Sequence, residues 1–164
     1  MMTAYSRNRL KRRLLSPVSG GKFVGWRNVG NTLVSFVRGS QEYGICDAEN
    51  GEVNDFRNSG SVWDSKPRTV KLGSVWELDC RSGVDYTVQQ MITCLCLGIP
   101  LYIAYLWWSH ALEIVGIRYV PGKYKNIVVI LRNSHGETNF IELEGSKCIP
   151  YEIFAFGSVE EVGA

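Results

Sequence analysis

The residues of this sequence that could do chemistry lie in the stretch WWSHALEIVGIRYVPGKYKNIVVILRNSHGET, which holds both histidines, His110 and His135. His110 opens a strand-like run of residues, and Asn133 follows the next such run. An imidazole can take a proton from a cysteine thiol, and a side-chain amide can hold that imidazole in the required orientation. The pattern therefore indicates nucleophilic thiol chemistry and raises the question of which cysteine is the nucleophile.

The elements that must position this pair follow from the hydrophobic pattern. Apolar residues at three- and four-residue spacing predict a helix in SGVDYTVQQMITCLCLGIP, with Ser82 or Asp85 as its cap. Gly98 and Pro100 predict its end. The period then changes to two, which predicts strands over residues 99–107, 110–119, 126–132 and 139–143. Short antiparallel strands beside one helix predict the α+β class.

The upstream sequence is less regular. Residues 22–37 have short apolar runs broken by glycine, which indicates weak structure. Residues 39–66 are rich in Asn, Asp, Gly and Ser, and they predict a loop. Residues 68–79 predict a strand that ends near Glu77.

Length and charge limit the organisation of the chain. With 164 residues and a net charge of +2, the sequence predicts one domain over residues 22–164 and requires no anionic partner. Basic side chains are concentrated in residues 7–13, so residues 1–21 are predicted to form a flexible basic arm. Contact between residues 7–13 and nucleic acid or a partner chain is the alternative interpretation of this arm.

An uncharged stretch, residues 91–108, reaches the length of a membrane span. Gly98 and Pro100 interrupt it, and its two halves have different periods, so the sequence argues against a membrane span. Residues 1–21 lack the apolar segment of a signal peptide.

Five cysteines form no pattern typical of a disulfide framework, a redox site or a metal site. Cys94 and Cys96 are separated by one residue, whereas zinc and redox motifs separate their cysteines by two. The cysteines are therefore predicted to be buried free thiols in a reducing compartment. No cofactor, nucleotide or metal motif is present in the sequence.

Three segments, SHALEIVGI, VVILRNSHGE and FIELEG, occur in the order typical of one family. They resemble the C-terminal half of papain-like cysteine peptidases, where a helix precedes a G-x-P strand, a His-Ala strand and a strand ending in Asn-Ser-Trp-Gly. The ending GSKCIPYEIFAFGS and the Trp-Trp pair before His110 resemble papain-like proteins encoded by tailed phages. The resemblance covers residues 63–156. It implies an α+β fold in which one helix precedes an antiparallel partial barrel, and a cysteine-bearing half that is shortened or lost.

The resemblance also implies roles for individual residues. His110 matches the catalytic imidazole, and Asn133 matches the amide that hydrogen-bonds its far ring nitrogen. Two positions depart from the family pattern. His135 stands where the family has a tryptophan that shields this hydrogen bond, and Ser109 stands where many active peptidases have Asp or Asn.

The nucleophile is the weakest part of the resemblance. In the family it begins a long helix and has a glutamine six residues upstream, which completes the oxyanion hole. Cys46 with Gln41 comes nearest, but the spacing is one residue short and Asp47 replaces an aromatic residue. The sequence after Cys46 predicts a loop rather than a helix. None of the other cysteines begins a predicted helix: Cys80, Cys94, Cys96 and Cys148.

The sequence thus predicts a non-catalytic papain-like module with a structural or binding role, for example as a virion protein of a phage. Its predicted partners are protein chains, and its location is the host cytoplasm or the virion. Tyr105, Trp107 and Trp108, uncovered by loss of the other half, are predicted to form the binding face.

Two alternatives stay open. One is an active thiol hydrolase that uses Cys46, His110 and Asn133, with Gln41 at the oxyanion hole. The other is a split peptidase, in which another polypeptide supplies the cysteine to His110 and Asn133.

Overall fold

A computed structural model describes residues 21, 23, 25, 32–47, 66–133 and 140–162 of the chain. These residues form two compact units. The larger unit runs from Val75 to Gly157, and the smaller unit contains the described residues on either side of it. Residues 1–20 of the predicted arm, together with His135, lie outside the described residues.

The larger unit is built on a six-stranded antiparallel sheet with the order β2-β7-β3-β4-β5-β6. The strands are β2 (Val75–Glu77), β3 (Leu101–Tyr105), β4 (His110–Tyr119), β5 (Ile127–Arg132), β6 (Phe140–Leu143) and β7 (Glu152–Phe156). One helix, α2 (Val84–Cys96), precedes β3. The predicted α+β class is confirmed, and so is the predicted order of this helix and the strands that follow it.

The core of the larger unit lies between α2 and one face of the sheet. Val88 and Met91 of α2 are buried in one cluster with Ile103 of β3 and Ile114 of β4. In β3 buried residues alternate with half-buried ones, because successive side chains of a strand point to opposite faces. In β4, His110 lies on the same face of the sheet as Leu112 and Ile114, which are buried in the cluster with α2.

The two ends of α2 agree only partly with the prediction. Gly98 has a φ of +68°, the left-handed conformation expected after the helix. The predicted caps are wrong, because the N-cap residue is Gly83. Glycine has no side chain that could accept a hydrogen bond from the first turn of the helix. The Ser82 hydroxyl instead donates to the Asp79 carboxylate, and Asp85 pairs with Lys125 at 2.9 Å.

The smaller unit combines a helix with a two-stranded antiparallel sheet. Its elements are α1 (Leu33–Glu42), β1 (Val70–Leu72) and β8 (Val159–Glu161), and β1 pairs with β8. Thr32 caps α1 by accepting a hydrogen bond from the backbone N–H of Ser35 at 3.1 Å. Ile45 forms a β-bridge with Val70, which fixes the segment that follows α1.

The structure corrects the upstream predictions at residues 33–42 and at residues 68–79. Residues 33–42 are helical rather than weakly structured or loop-like, because Leu33 and Val37 bury one face and outweigh the poor helix propensity of Gly39. The single strand predicted over residues 68–79 is two strands, β1 and β2, and they pair with different partners.

The uncharged stretch over residues 91–108 is divided between α2 and β3. Within the described ranges, the structure has no helix that is both long enough and apolar enough to cross a membrane.

Candidate imidazole–amide site

The hairpin of β4 and β5 positions the two residues of the candidate site. His110 is the first residue of β4, and Asn133 comes directly after Arg132, the last residue of β5. The strands are antiparallel, and Glu113 lies opposite Arg132 in their register. The beginning of β4 and the end of β5 therefore lie at the same edge of the sheet, where the two side chains meet.

The predicted contact between these side chains is present. Nε2 of His110 lies 3.1 Å from Oδ1 of Asn133, and both residues are half-buried. An amide oxygen can only accept a hydrogen bond, so this contact requires the proton on Nε2. In the neutral imidazole the lone pair then lies on Nδ1, the nitrogen that would act as a base. The amide thus selects a tautomer suited to proton abstraction.

Trp108 forms a second contact with the histidine that sequence reasoning missed. Its ring centroid lies 5.3 Å from that of His110, and the two ring planes are tilted by 55°. Trp108 is half-buried and packs against the core, whereas Trp107 stacks on it at 5.4 Å. Ser109, between Trp108 and His110, has a φ of +50°. The Trp-Trp pair beside His110 was the available signal, but its geometry depends on this turn.

The predicted exposed face of three aromatic residues is wrong for one of them. Tyr105 is only 1% exposed, and its hydroxyl donates to the backbone carbonyl of Cys148 at 3.2 Å. Trp107 is 49% exposed, and Nζ of Lys147 lies 5.0 Å from its ring centroid. Trp107 is therefore the most accessible of the three, because Tyr105 faces the core and Trp108 is half-buried.

The structure places Cys46 and Gln41 in the smaller unit. Cys46 follows α1 and is 1% exposed; its Sγ lies 3.3 Å from Nη1 of Arg68 and 3.9 Å from the carbonyl oxygen of Lys66. Burial raises the pKa of the Cys46 thiol, and the positive charges of Arg68 and Lys66 only oppose this shift. Gln41 lies in the last turn of α1 and donates to the carbonyl of Gly73 at 3.1 Å.

The other cysteines also lack the setting of a nucleophile. Cys80 precedes α2, Cys94 and Cys96 lie in its last turn, and Cys148 ends a 3-10 turn that begins at Gly145. Burial raises the pKa of Cys80 to about 11 and also raises the pKa values of Cys94 and Cys148. All five cysteines lie within the described ranges, and each is a free thiol.

Among the described residues, no three or more His, Cys, Asp or Glu side chains lie together in a way that could hold a metal ion.

The fold is similar to that of a papain-like cysteine protease. A solved structure with this fold is the clostridial cysteine protease Cwp84, determined as a cysteine-to-alanine variant after propeptide cleavage. The two chains are similar with a TM-score of 0.60 and 15% identity over 93% of this chain. At this identity the likeness establishes a shared fold.

The match covers 48% of the protease chain, so this protein spans about half of that length. No family model matches the chain, and no curated protein matches its sequence.

Proposed function

We propose that this chain is a non-catalytic papain-like protein that binds another protein chain. The observation that carries the proposal is the position of Cys46, the best candidate nucleophile. Its thiol is 1% exposed, and burial raises its pKa. A nucleophilic cysteine must reach its substrate and must ionise near neutral pH, so this setting opposes both requirements.

The helix termini support the same conclusion. A helix N-terminus lowers the pKa of a thiol through the partial positive charge of its free N–H groups. Cys46 follows α1 instead of beginning it, and Cys94 and Cys96 lie at the opposite end of α2. The C-terminal end of a helix carries partial negative charge, which disfavours a thiolate.

The surface next to His110 supports a binding role. Leu106 is 65% exposed and Trp107 is 49% exposed, and both lie in the turn between β3 and β4. Tryptophan is enriched among the residues that contribute most to protein interfaces. Lys147, which lies over the Trp107 ring, adds a positive charge at the edge of this surface. The proposed partner therefore contacts this turn through an apolar side chain.

The proposed setting is a phage particle. The similarity of the C-terminal segment, residues 145–158, to phage-encoded papain-like proteins supports this setting. In a virion, the basic residues 7–13 would contact a neighbouring subunit or the packaged nucleic acid.

Alkylation of the native protein with iodoacetamide at about pH 6, read by mass spectrometry for each cysteine, tests the absence of a reactive thiol. We expect Cys46 to react more slowly than Cys96, which is exposed. A urea-unfolded sample supplies the reference rate of each thiol. Rapid labelling of native Cys46 that disappears in His110→Ala would overturn the proposal. It would favour the thiol hydrolase built from Cys46, His110, Asn133 and Gln41.

A second candidate function is supported by a different observation. The 3.1 Å contact between His110 and Asn133 keeps the base and its orienting group in the arrangement that a thiol peptidase uses. In a split peptidase, a second polypeptide would supply a helix that begins with the cysteine.

Co-expression with the products of neighbouring genes, followed by a fluorogenic peptide assay, tests this function. Activity that His110→Ala abolishes and Cys46→Ser leaves unchanged would establish the split enzyme. The absence of activity from every combination would leave the binding role.

A further inference from the structure

We propose that Trp108 is a positioning residue for His110, and that its indole ring keeps water away from the hydrogen bond between His110 and Asn133. The inference goes beyond the proposed function, because it concerns the state of the imidazole whether or not the chain meets a thiol.

The first observation is the direct ring contact. The Trp108 and His110 centroids lie 5.3 Å apart, and the two ring planes are tilted by 55°. This distance and tilt fall within the range of favourable aromatic pairs. Trp108 therefore occupies space beside the imidazole that water would otherwise fill.

The second observation is that Trp108 is held from its other side. Trp107 stacks on it with 17° between the ring planes, and Trp107 in turn contacts Tyr105 at 5.6 Å. The Tyr105 hydroxyl is fixed by the carbonyl of Cys148 in the core. This series of rings connects Trp108 to the core, so the indole cannot leave the imidazole without disturbing several contacts.

The third observation concerns the backbone between the two rings. Ser109 has a φ of +50°, a left-handed conformation that residues with side chains rarely adopt. Such a conformation persists where the surrounding contacts determine it. Here it lies in the turn between Trp108 and His110, whose rings are in contact.

The Trp108 ring would act on the hydrogen bond between His110 and Asn133 by excluding water from it. Water competes for a half-buried donor, and a neighbouring apolar ring removes that competitor and lowers the local dielectric constant. With Trp108 in place, the Nε2 proton is therefore expected to exchange slowly with solvent. The imidazole then keeps one tautomer and one orientation.

Proton exchange at His110 Nε2, measured by NMR on the full chain with ¹⁵N-labelled histidine, tests the inference. A His135→Gln variant assigns the signals, because the sequence has only these two histidines. We expect Trp108→Ala to accelerate the exchange by about tenfold, since the hydrogen bond becomes open to water. Trp108→Phe, which keeps a ring at this place, should stay close to the wild-type rate.

Leu106→Ala is the matched control, because it removes a 65% exposed apolar side chain from the same turn and leaves both indole rings in place. A wild-type exchange rate in folded Trp108→Ala would overturn the inference. Equal acceleration by Leu106→Ala and Trp108→Ala would also overturn it, since it would indicate a loosened turn. If Trp108→Ala does not fold, Trp108→Leu takes its place, and wild-type exchange in that variant overturns the inference. Iodoacetamide labelling is read independently, so failure of one proposal does not imply failure of the other.

Discussion

Nε2 of His110 and Oδ1 of Asn133 lie 3.1 Å apart, although 23 residues separate them in the chain. The β4–β5 hairpin closes this separation, because the first residue of one strand and the residue after the other meet at one edge of the sheet. The amide of Asn133 reaches the imidazole of His110 because the register of the two strands brings these strand ends together. The pair is thus a property of the hairpin register.

Replacing Asn133 with leucine should show how much the hydrogen bond contributes to stability, separately from the packing of the side chain. Leucine has a similar volume but no acceptor, so the free energy of unfolding should fall by about 1 kcal/mol. Urea denaturation followed by circular dichroism measures this change. Asn133→Asp keeps an acceptor oxygen and should retain the protected Nε2–H signal in NMR spectra. Loss of that signal from both variants alike would contradict the assigned acceptor role.

Tyr105→Phe should destabilise the larger unit through a single hydroxyl. The Tyr105 hydroxyl is the donor to the Cys148 carbonyl in a site that is 1% exposed. Removing it leaves a buried carbonyl without this partner, which costs about 1–3 kcal/mol of unfolding free energy. Tyr119→Phe is the control, because Tyr119 is 71% exposed and its change should stay within about 0.5 kcal/mol. Equal effects of the two variants in urea denaturation would refute the prediction.

The Cys80 thiol should make stability depend on alkaline pH. Burial first, and then the charges of Asp79, Glu77 and Glu152, raise its pKa from 9.0 to about 11 in the folded protein. Between these two values the unfolded chain binds fewer protons than the folded one, so the unfolding free energy falls as the pH rises.

Urea midpoints measured from about pH 8 to about pH 11 should show this fall. The fall should be shallower in Cys80→Ala, which has no thiol to ionise. An identical slope in wild type and variant would exclude Cys80 as a source of the pH dependence.

Gly44→Ala should test the close backbone approach in the smaller unit. Gly44 has a φ of +77°, and an added Cβ would lie 2.7 Å from the carbonyl oxygen of Val70. The left-handed conformation alone disfavours alanine by about 1–2 kcal/mol, and the steric clash adds to this.

Gly122→Ala is the matched control, because Gly122 has a φ of +84° and open space where the Cβ would be. Thermal denaturation should therefore show a larger loss for Gly44→Ala. A smaller loss of stability than in Gly122→Ala would indicate that the Val70 carbonyl moves away from the added Cβ at little cost in free energy.

The sequence was informative where local pattern decides the structure. The change from three- and four-residue spacing to period two correctly indicated α2, β3 and β4, and Gly98 correctly indicated the end of the helix. These features depend on neighbouring residues within one or two turns of chain. The same periodicity made it possible to predict His110 at the start of a strand and Asn133 after the next one.

Tertiary structure decided features that depend on distant parts of the chain. Helix α1 forms despite Gly39 because burial supplies the stability that its propensity does not. Strand β7, from the C-terminal part of the chain, lies between β2 and β3, and local sequence carries no signal for such an insertion.

Side-chain surroundings were decided in the same way. The sequence by itself indicated that an imidazole would begin one strand and that an amide would follow the next. Only the folded chain decided that Tyr105 is buried, that Cys46 is enclosed beside Arg68, and that the Trp108 ring contacts His110. Burial and ring contact are sums over neighbours that are distant in sequence, whereas periodicity reports only which face of its own element a residue occupies.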